Sequence, residues 1–217
     1  MEASVAEWLM NLTWNAMCLF CDCRLEPDKA FWVCDECRDN MPEFADDVNN
    51  KNLLPLKYFD YTDARVRDAV LSLKYLKNTD KAKPMAETMT ANIMTLKKRH
   101  DFDFIVPMPS SKKRYNTRGF NQCELIAKEM SKLLGIKYNN KTFRKIKETP
   151  PQSTLTYKER LTNLDGAFGI FDEAFEGKRV LLVDDISTTG STINEAVKTI
   201  RKNGDAKLVK AVIFAHT

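Results

Sequence analysis

Two adjacent carboxylates, Asp184 and Asp185, follow the apolar run Val180-Leu181-Leu182-Val183 at the point where a buried strand should be surfacing. Such a run suits a strand of a parallel sheet covered on both faces. Ser187, Thr188, Thr189, Gly190, Ser191 and Thr192 then supply hydroxyls, a flexible backbone point and a helix N-cap. Strand, acids, hydroxyl loop and helix in this order suit a sugar phosphate. Backbone N–H groups of the loop and the positive end of the helix can hold a phosphate, with hydroxyl donors added. The carboxylates would repel that phosphate. Ionised Asp only accepts hydrogen bonds, so the two hydroxyls of a ribose are its natural partner. An ordinary strand end before a capped helix explains Ser191 or Thr192, but not two acids and four further polar positions.

A second chemical cluster lies near the N-terminus, where Cys18-x-x-Cys21 is followed by Cys34-x-x-Cys37. Two such knuckles can close four thiolates around one Zn²⁺ in tetrahedral geometry. A redox Cys-x-x-Cys is the rival reading, and the paired set favours structural zinc. Four thiolates leave no open position, so no catalytic zinc is expected. Cys23 is a further thiol that can compete for the metal, and Cys123 lies far away in an amphipathic helix, where burial is expected.

The stretch from Val180 to Thr192 resembles the phosphoribosyl pyrophosphate (PRPP) signature of type I phosphoribosyltransferases at all thirteen positions, with Ser187 where the pattern usually has an aliphatic residue. The resemblance implies that Asp184 and Asp185 bind ribose hydroxyls and that Thr188, Thr189, Gly190, Ser191 and Thr192 bind the 5′-phosphate. No Gly-Lys pair occurs within this stretch, which excludes a Walker A loop there, and no G-x-G-x-x-G occurs in the chain.

The elements that must position these groups follow from pattern. At 217 residues, 43% hydrophobic and 29% charged, the chain fits one α/β domain with a small appendage. A net charge of +4 permits nucleic acid without demanding it. The N-terminal residues include Glu2 and Glu7 and lack a basic n-region, so neither a secretion signal nor a membrane span is expected, and the cytoplasm is the expected compartment. Residues 1–57 are read as the cysteine element and a polar connector, and 58–217 as the main domain. Its fold class is α/β, with a mostly parallel sheet of type I phosphoribosyltransferase type.

Within that domain, helices are expected over 62–77 (stripe Val66, Ala69, Val70, Leu73, Leu76) and 80–99 (Met85, Met89, Ile93, Met94). A strand over 101–108 leads to a loop carrying Ser110, Ser111, Lys112, Lys113, Arg114 and Arg118. That loop follows the carboxyl end of a parallel strand, where open sheets place ligands, and its cations can face the pyrophosphate of PRPP. A helix over 121–134 ends at Gly135. Residues 141–164 read as an irregular basic hood, broken at Pro150-Pro151. Strands over 166–171 and 207–215 flank the central strand, and the last helix stops at Gly204.

In this order the cysteine knuckles, IVPMP, RGFNQ, Gln152 with Arg160-x-x-Asn163, GAF and VDDISTTGST resemble the ComF family of competence proteins, from about Cys18 onward. The resemblance implies a PRPP-type fold, an N-terminal Zn²⁺ element and involvement in uptake of transforming DNA. It implies no particular transfer reaction. A phosphoribosyl transfer would need Mg²⁺ across pyrophosphate and ribose oxygens and a cation for the leaving charge. Two functions are therefore carried forward. One is a PRPP-binding protein that assists cytoplasmic handling of single-stranded DNA alongside the uptake machinery. The other is a phosphoribosyltransferase acting on an unknown small acceptor. Cations at 112–114, 118 and 144–147, with Tyr115 and Phe120 among them, suit a strand-binding groove and pyrophosphate equally.

Overall fold

The computed structural model describes residues 16–26, 32–45, 48–76, 78–96, 101–148 and 164–217. The hood residues Gln152, Arg160 and Asn163, and His100, lie outside them. Helices are α1 (Asp35–Asp39), α2 (Ala64–Tyr75), α3 (Ala82–Met94), α4 (Lys112–Arg118), α5 (Gln122–Leu134) and α6 (Ser191–Asn203). Strands are β1 (Phe59–Asp60), β2 (Phe104–Pro107), β3 (Lys137–Tyr138), β4 (Phe143–Lys145), β5 (Phe168–Ile170), β6 (Arg179–Val183), β7 (Ile186–Ser187), β8 (Leu208–Val212) and β9 (Ala215–His216).

The central sheet is parallel, in the order β3-β2-β6-β8. Val180 to Val183 of β6 are fully buried, as their apolar run requires, and each such side chain contributes about 1.5–3 kcal/mol by leaving water. From the adjacent pair β2 and β6 the chain steps outward in opposite directions: β2 through α5 to β3, and β6 through α6 to β8. Right-handed crossovers then put α5 and α6 on opposite faces. The reversal falls at the carboxyl ends of β2 and β6, the position at which open α/β sheets bind ligands. Asp184 and Asp185 follow β6 at that edge, both buried.

Beyond the central sheet, β1, β9 and β7 form a small parallel sheet, with Ala215 pairing both Phe59 and Ile186. Its reason is a break in the last strand. After β8 the N–H groups of Phe214 and Ala215 both turn to the Asp185 carbonyl, which separates β9 from the strand expected to run on from 207 to 215. An antiparallel pair, β4 with β5, completes the described sheets.

Three expectations are corrected. Residues 112–118 form a helix rather than a loop, because Ser111 caps its start by accepting from Arg114 N–H and Gly119 closes it in the left-handed conformation (φ 85°). Leu76 and Met94 do not join their helices' buried stripes: Leu76 is the C-cap of α2, and Met94 is the last residue of α3 and half exposed. The polar connector is bound into the main sheet. Leu53 bridges Ala211 in parallel, and Asn52 and Leu54 exchange backbone hydrogen bonds with Ala211 at 2.8 Å, adding an edge beside β8.

Candidate functional site

The acidic pair sits in a buried ionic cluster. Lys74, on α2 and itself buried, places its Nζ 2.5 Å from Asp185 Oδ2. Burial works against charge on both groups, and their mutual attraction outweighs it, so Lys74 is held above and Asp185 below its ordinary pKa. Among the described residues Asp184 has no ion pair of its own. Burial first, then the neighbouring Asp185 carboxylate, raises it to about 8. Its Oδ1 accepts from the Asp185 N–H at 2.9 Å and from the Cys123 thiol at 3.2 Å. Burial and the nearby Asp184 push Cys123 well up, so it remains a thiol donor. One charged acid, one acid able to hold a proton and one ammonium therefore share the end of β6.

Sequence reasoning did not place Lys74 or Cys123 here. For Lys74 a signal existed: it follows Leu73 and stands four residues after Val70, so a lysine rides on the apolar stripe of α2. Cys123 was expected to be buried, and it is, but its contact with Asp184 spans 61 positions and has no local trace.

The chain leaves the acids through β7 and enters the hydroxyl loop. Thr188 and Thr189 are exposed, Gly190 is buried, and Thr189 Oγ1 lies 2.7 Å from Ser191 Oγ at the start of α6. Gly190 has φ 73°, a conformation that L side chains rarely adopt, and a Cβ there would stand 2.5 Å from Asn50 Nδ2. The loop thus needs glycine twice over, for its backbone and for the close approach of residue 50.

The expected pyrophosphate group is more dispersed. Lys112, Lys113 and Arg114 are exposed on α4, while Ser111 is buried and occupied as its cap. The Glu148 carboxylate accepts from Lys113 N–H at 3.3 Å, and that bond, ahead of the others, lowers its pKa. Arg118 lies 4.9 Å over the Tyr75 ring and donates to Gln122 Oε1 at 2.9 Å. The flanking motif residues are structural: Gly119 ends α4, and Asn121 caps α5 while donating to the Met108 carbonyl at 2.9 Å. Phe120 packs partly against the core.

At the N-terminus the thiols of Cys18, Cys21, Cys23 and Cys34 all lie within 4.8 Å of one another. Cys37, buried on α1, shares thiol interactions with Cys21, Cys34 and Cys18. The Cys21 and Cys34 sulfurs are 3.6 Å apart, close to the ~3.8 Å that tetrahedral coordination at a Zn–S distance of ~2.3 Å requires. Burial acts upward on Cys21, but donors from Cys23, Cys18 and Cys34 outweigh it and bring the thiol to about 7, while burial first and the neighbouring thiols next hold Cys23 and Cys37 up, and burial raises Cys18. The donor set fits zinc. Five thiols converge where four were expected, because the turn after Cys21 folds Cys23 back: Cys18 N–H donates to the Cys23 carbonyl at 2.8 Å.

Residues 121–217, which contain α5, the acidic pair, the hydroxyl loop and α6, match the family described as phosphoribosyl transferase domain. That match spans a little under half of the chain. Its curated relatives bear out the resemblance to ComF-type competence proteins. Competence protein F of Haemophilus influenzae is 40% identical over 46% of this chain and 44% of its own length. DNA utilization protein YhgH of Salmonella typhi is 29% identical over 63% of this chain and 61% of its own. Competence protein ComFC of Bacillus subtilis is 33% identical over 49% of this chain and 42% of its own. The chain thus spans between about two fifths and three fifths of the length of these relatives. The parallel sheet, with the acids of the matched segment at its carboxyl edge, is of the type I fold expected. No helix among the described residues is long and apolar enough to cross a membrane.

Proposed function

We propose that this chain binds PRPP, or a related ribose 5-phosphate, together with Mg²⁺, and assists cytoplasmic handling of single-stranded DNA in natural transformation, alongside the DNA-uptake machinery. The observation that carries the ligand is the acidic pair at the carboxyl end of β6 leading directly into a glycine-turned hydroxyl loop at the start of α6. The DNA role rests on the likeness to competence and DNA-utilization proteins and on the exposed cations of α4.

In this reading Asp184 and Asp185 face the ribose hydroxyls, and Thr188 to Thr192 hold the 5′-phosphate. Ser110, Ser111, Lys112 and Arg118 are assigned to the pyrophosphate side, with Ser111 contributing through its cap of α4. Of the set Cys123, Asp184 and Asp185, only the carboxylates suit a hard cation, and Lys74 already occupies one of them. Mg²⁺ therefore fits best when carried in on the oxygens of PRPP, where it supplies neutralisation of the pyrophosphate charge. Cys18, Cys21, Cys34 and Cys37 are assigned to structural Zn²⁺.

The match to the phosphoribosyl transferase domain favours a second reading, catalysed transfer to an unknown acceptor. Melting curves with PRPP and Mg²⁺ test the binding. A ligand at a hundred times its Kd should add about 2.7 kcal/mol of stability. Pyrophosphate release across a panel of acceptors then separates binding from turnover. A melting temperature indifferent to every phosphoribose would refute the ligand assignment.

A further inference from the structure

Opposite the hydroxyl loop stands a wall built from residues far ahead of the phosphoribosyl transferase domain match. A cleft of about 610 Å³ opens between Asn49–Asn52 of the connector and Thr188–Gly190 with Asn194, and His216 also lines it. None of the described residues lining it carries a carboxylate. They offer the Lys51 ammonium, several carboxamides, two threonine hydroxyls and the backbone entering α6, which is the composition of a site for an anion.

The wall is fixed in place. Asn52 N–H is donated to Asn50 Oδ1 at 3.0 Å, which assigns the oxygen of that carboxamide and leaves Nδ2 directed toward Gly190. Asn52 Nδ2 donates to Asn194 Oδ1 at 2.8 Å, tying the connector to the first turn of α6. Beneath it, Lys210 Nζ donates to the Lys51 carbonyl at 2.6 Å, and Ala211 holds Asn52 and Leu54 against the sheet edge. The Lys51 side chain itself is exposed at the cleft.

We propose that the connector supplies the second half of the phosphate site: Asn50 Nδ2 and Lys51 Nζ donate to the phosphate monoester of a ribose phosphate whose other oxygens meet the Thr188–Thr192 loop. This rests on the ribose-phosphate reading above and deepens it. It makes the segment between the cysteine element and the main domain part of the ligand site, and it accounts for the approach of residue 50 to a glycine that tolerates no side chain.

The test uses the full chain and calorimetric titration with ribose 5-phosphate, PRPP with Mg²⁺, inorganic phosphate and ribose. Asn50→Ala with Lys51→Ala should weaken ribose 5-phosphate at least about tenfold, since hydrogen bonds to a charged group are the strong ones. Asn50→Asp, which keeps the shape and adds a negative charge, should weaken it further, and more at pH 8 than at pH 5. Lys207→Ala, an exposed cation elsewhere, should leave affinity unchanged. Ribose without phosphate should bind all variants alike. Variants that melt like the parent and bind ribose 5-phosphate equally well would overturn the connector's role while leaving the ribose-phosphate reading intact. A parent chain that binds neither ribose 5-phosphate nor PRPP would overturn both.

Discussion

At the scale of single residues, the site is governed by how two adjacent carboxylates share one ammonium. Lys74 neutralises Asp185 at 2.5 Å, and Asp184, buried beside that pair, is raised to about 8. The unfolded chain releases the Asp184 proton near its ordinary value of 3.8, whereas the folded chain keeps it to about 8. Over that window the native state binds the extra proton, so Asp184 makes stability fall as pH rises. His216 acts oppositely: burial lowers its pKa, so its contribution is lost as pH falls below 6.5. Comparing variants isolates the acid. Chemical denaturation from pH 5 to 8 should show a decline in the parent, and Asp184→Asn should flatten it, gaining stability at the alkaline end. A parent and variant with parallel pH profiles would show that Asp184 is ionised throughout.

At the scale of elements, the cysteine turn and α1 form a unit with little apolar interior of its own. It docks through Phe20 on Phe59, whose ring centroids are 5.6 Å apart, and through buried Lys81, which reaches the Leu19 carbonyl and Asp22, both at 2.8 Å. The tandem spacing favours Cys37 as the fourth ligand, and the fold brings Cys23 close enough to compete. Elemental analysis should find about one Zn²⁺ per chain, because structural zinc and folding of such a unit are coupled. Cys37→Ser should lower the zinc content and Cys23→Ser should preserve it. The reverse pattern would assign the site to Cys18, Cys21, Cys23 and Cys34.

At the scale of the whole molecule, one helix joins the two proposed ligands. Exposed Lys112, Lys113 and Arg114 occupy one end of α4. Arg118 at the other end stacks on Tyr75, the neighbour of the lysine that holds Asp185. PRPP at the acids and DNA on α4 are therefore expected to be linked, and linkage is reciprocal. Saturating PRPP and Mg²⁺ should change single-stranded DNA affinity by about fivefold or more, and DNA should change PRPP affinity by the same factor. Replacing Lys112, Lys113 and Arg114 with Ala should flatten the dependence of log affinity on log salt, since fewer DNA counterions are released. Equal affinities in both titrations would make the sites independent, and an unaltered salt slope would move the DNA surface off α4.

The central strand, the acids after it, the hydroxyl loop, α6 and the cysteine spacing were legible in order along the chain, because each is a local pattern: an apolar run, a cap, a period of 3.6, a pair of knuckles. Helix α5 and its stop at Gly135 were equally legible. Helix α4 was missed because basic residues mask its signal, although Ser111 and Gly119 punctuate it at both ends. What the tertiary structure alone decided lies between residues remote in sequence. Lys74 meets Asp185 across 111 positions, Cys123 meets Asp184 across 61, and Asn52 meets Asn194 across 142. Such contacts are set by which strands are neighbours and where the crossovers reverse. The charge state of the acids and the second wall of the cleft therefore emerge only once β2 and β6 lie side by side and the connector is laid along β8.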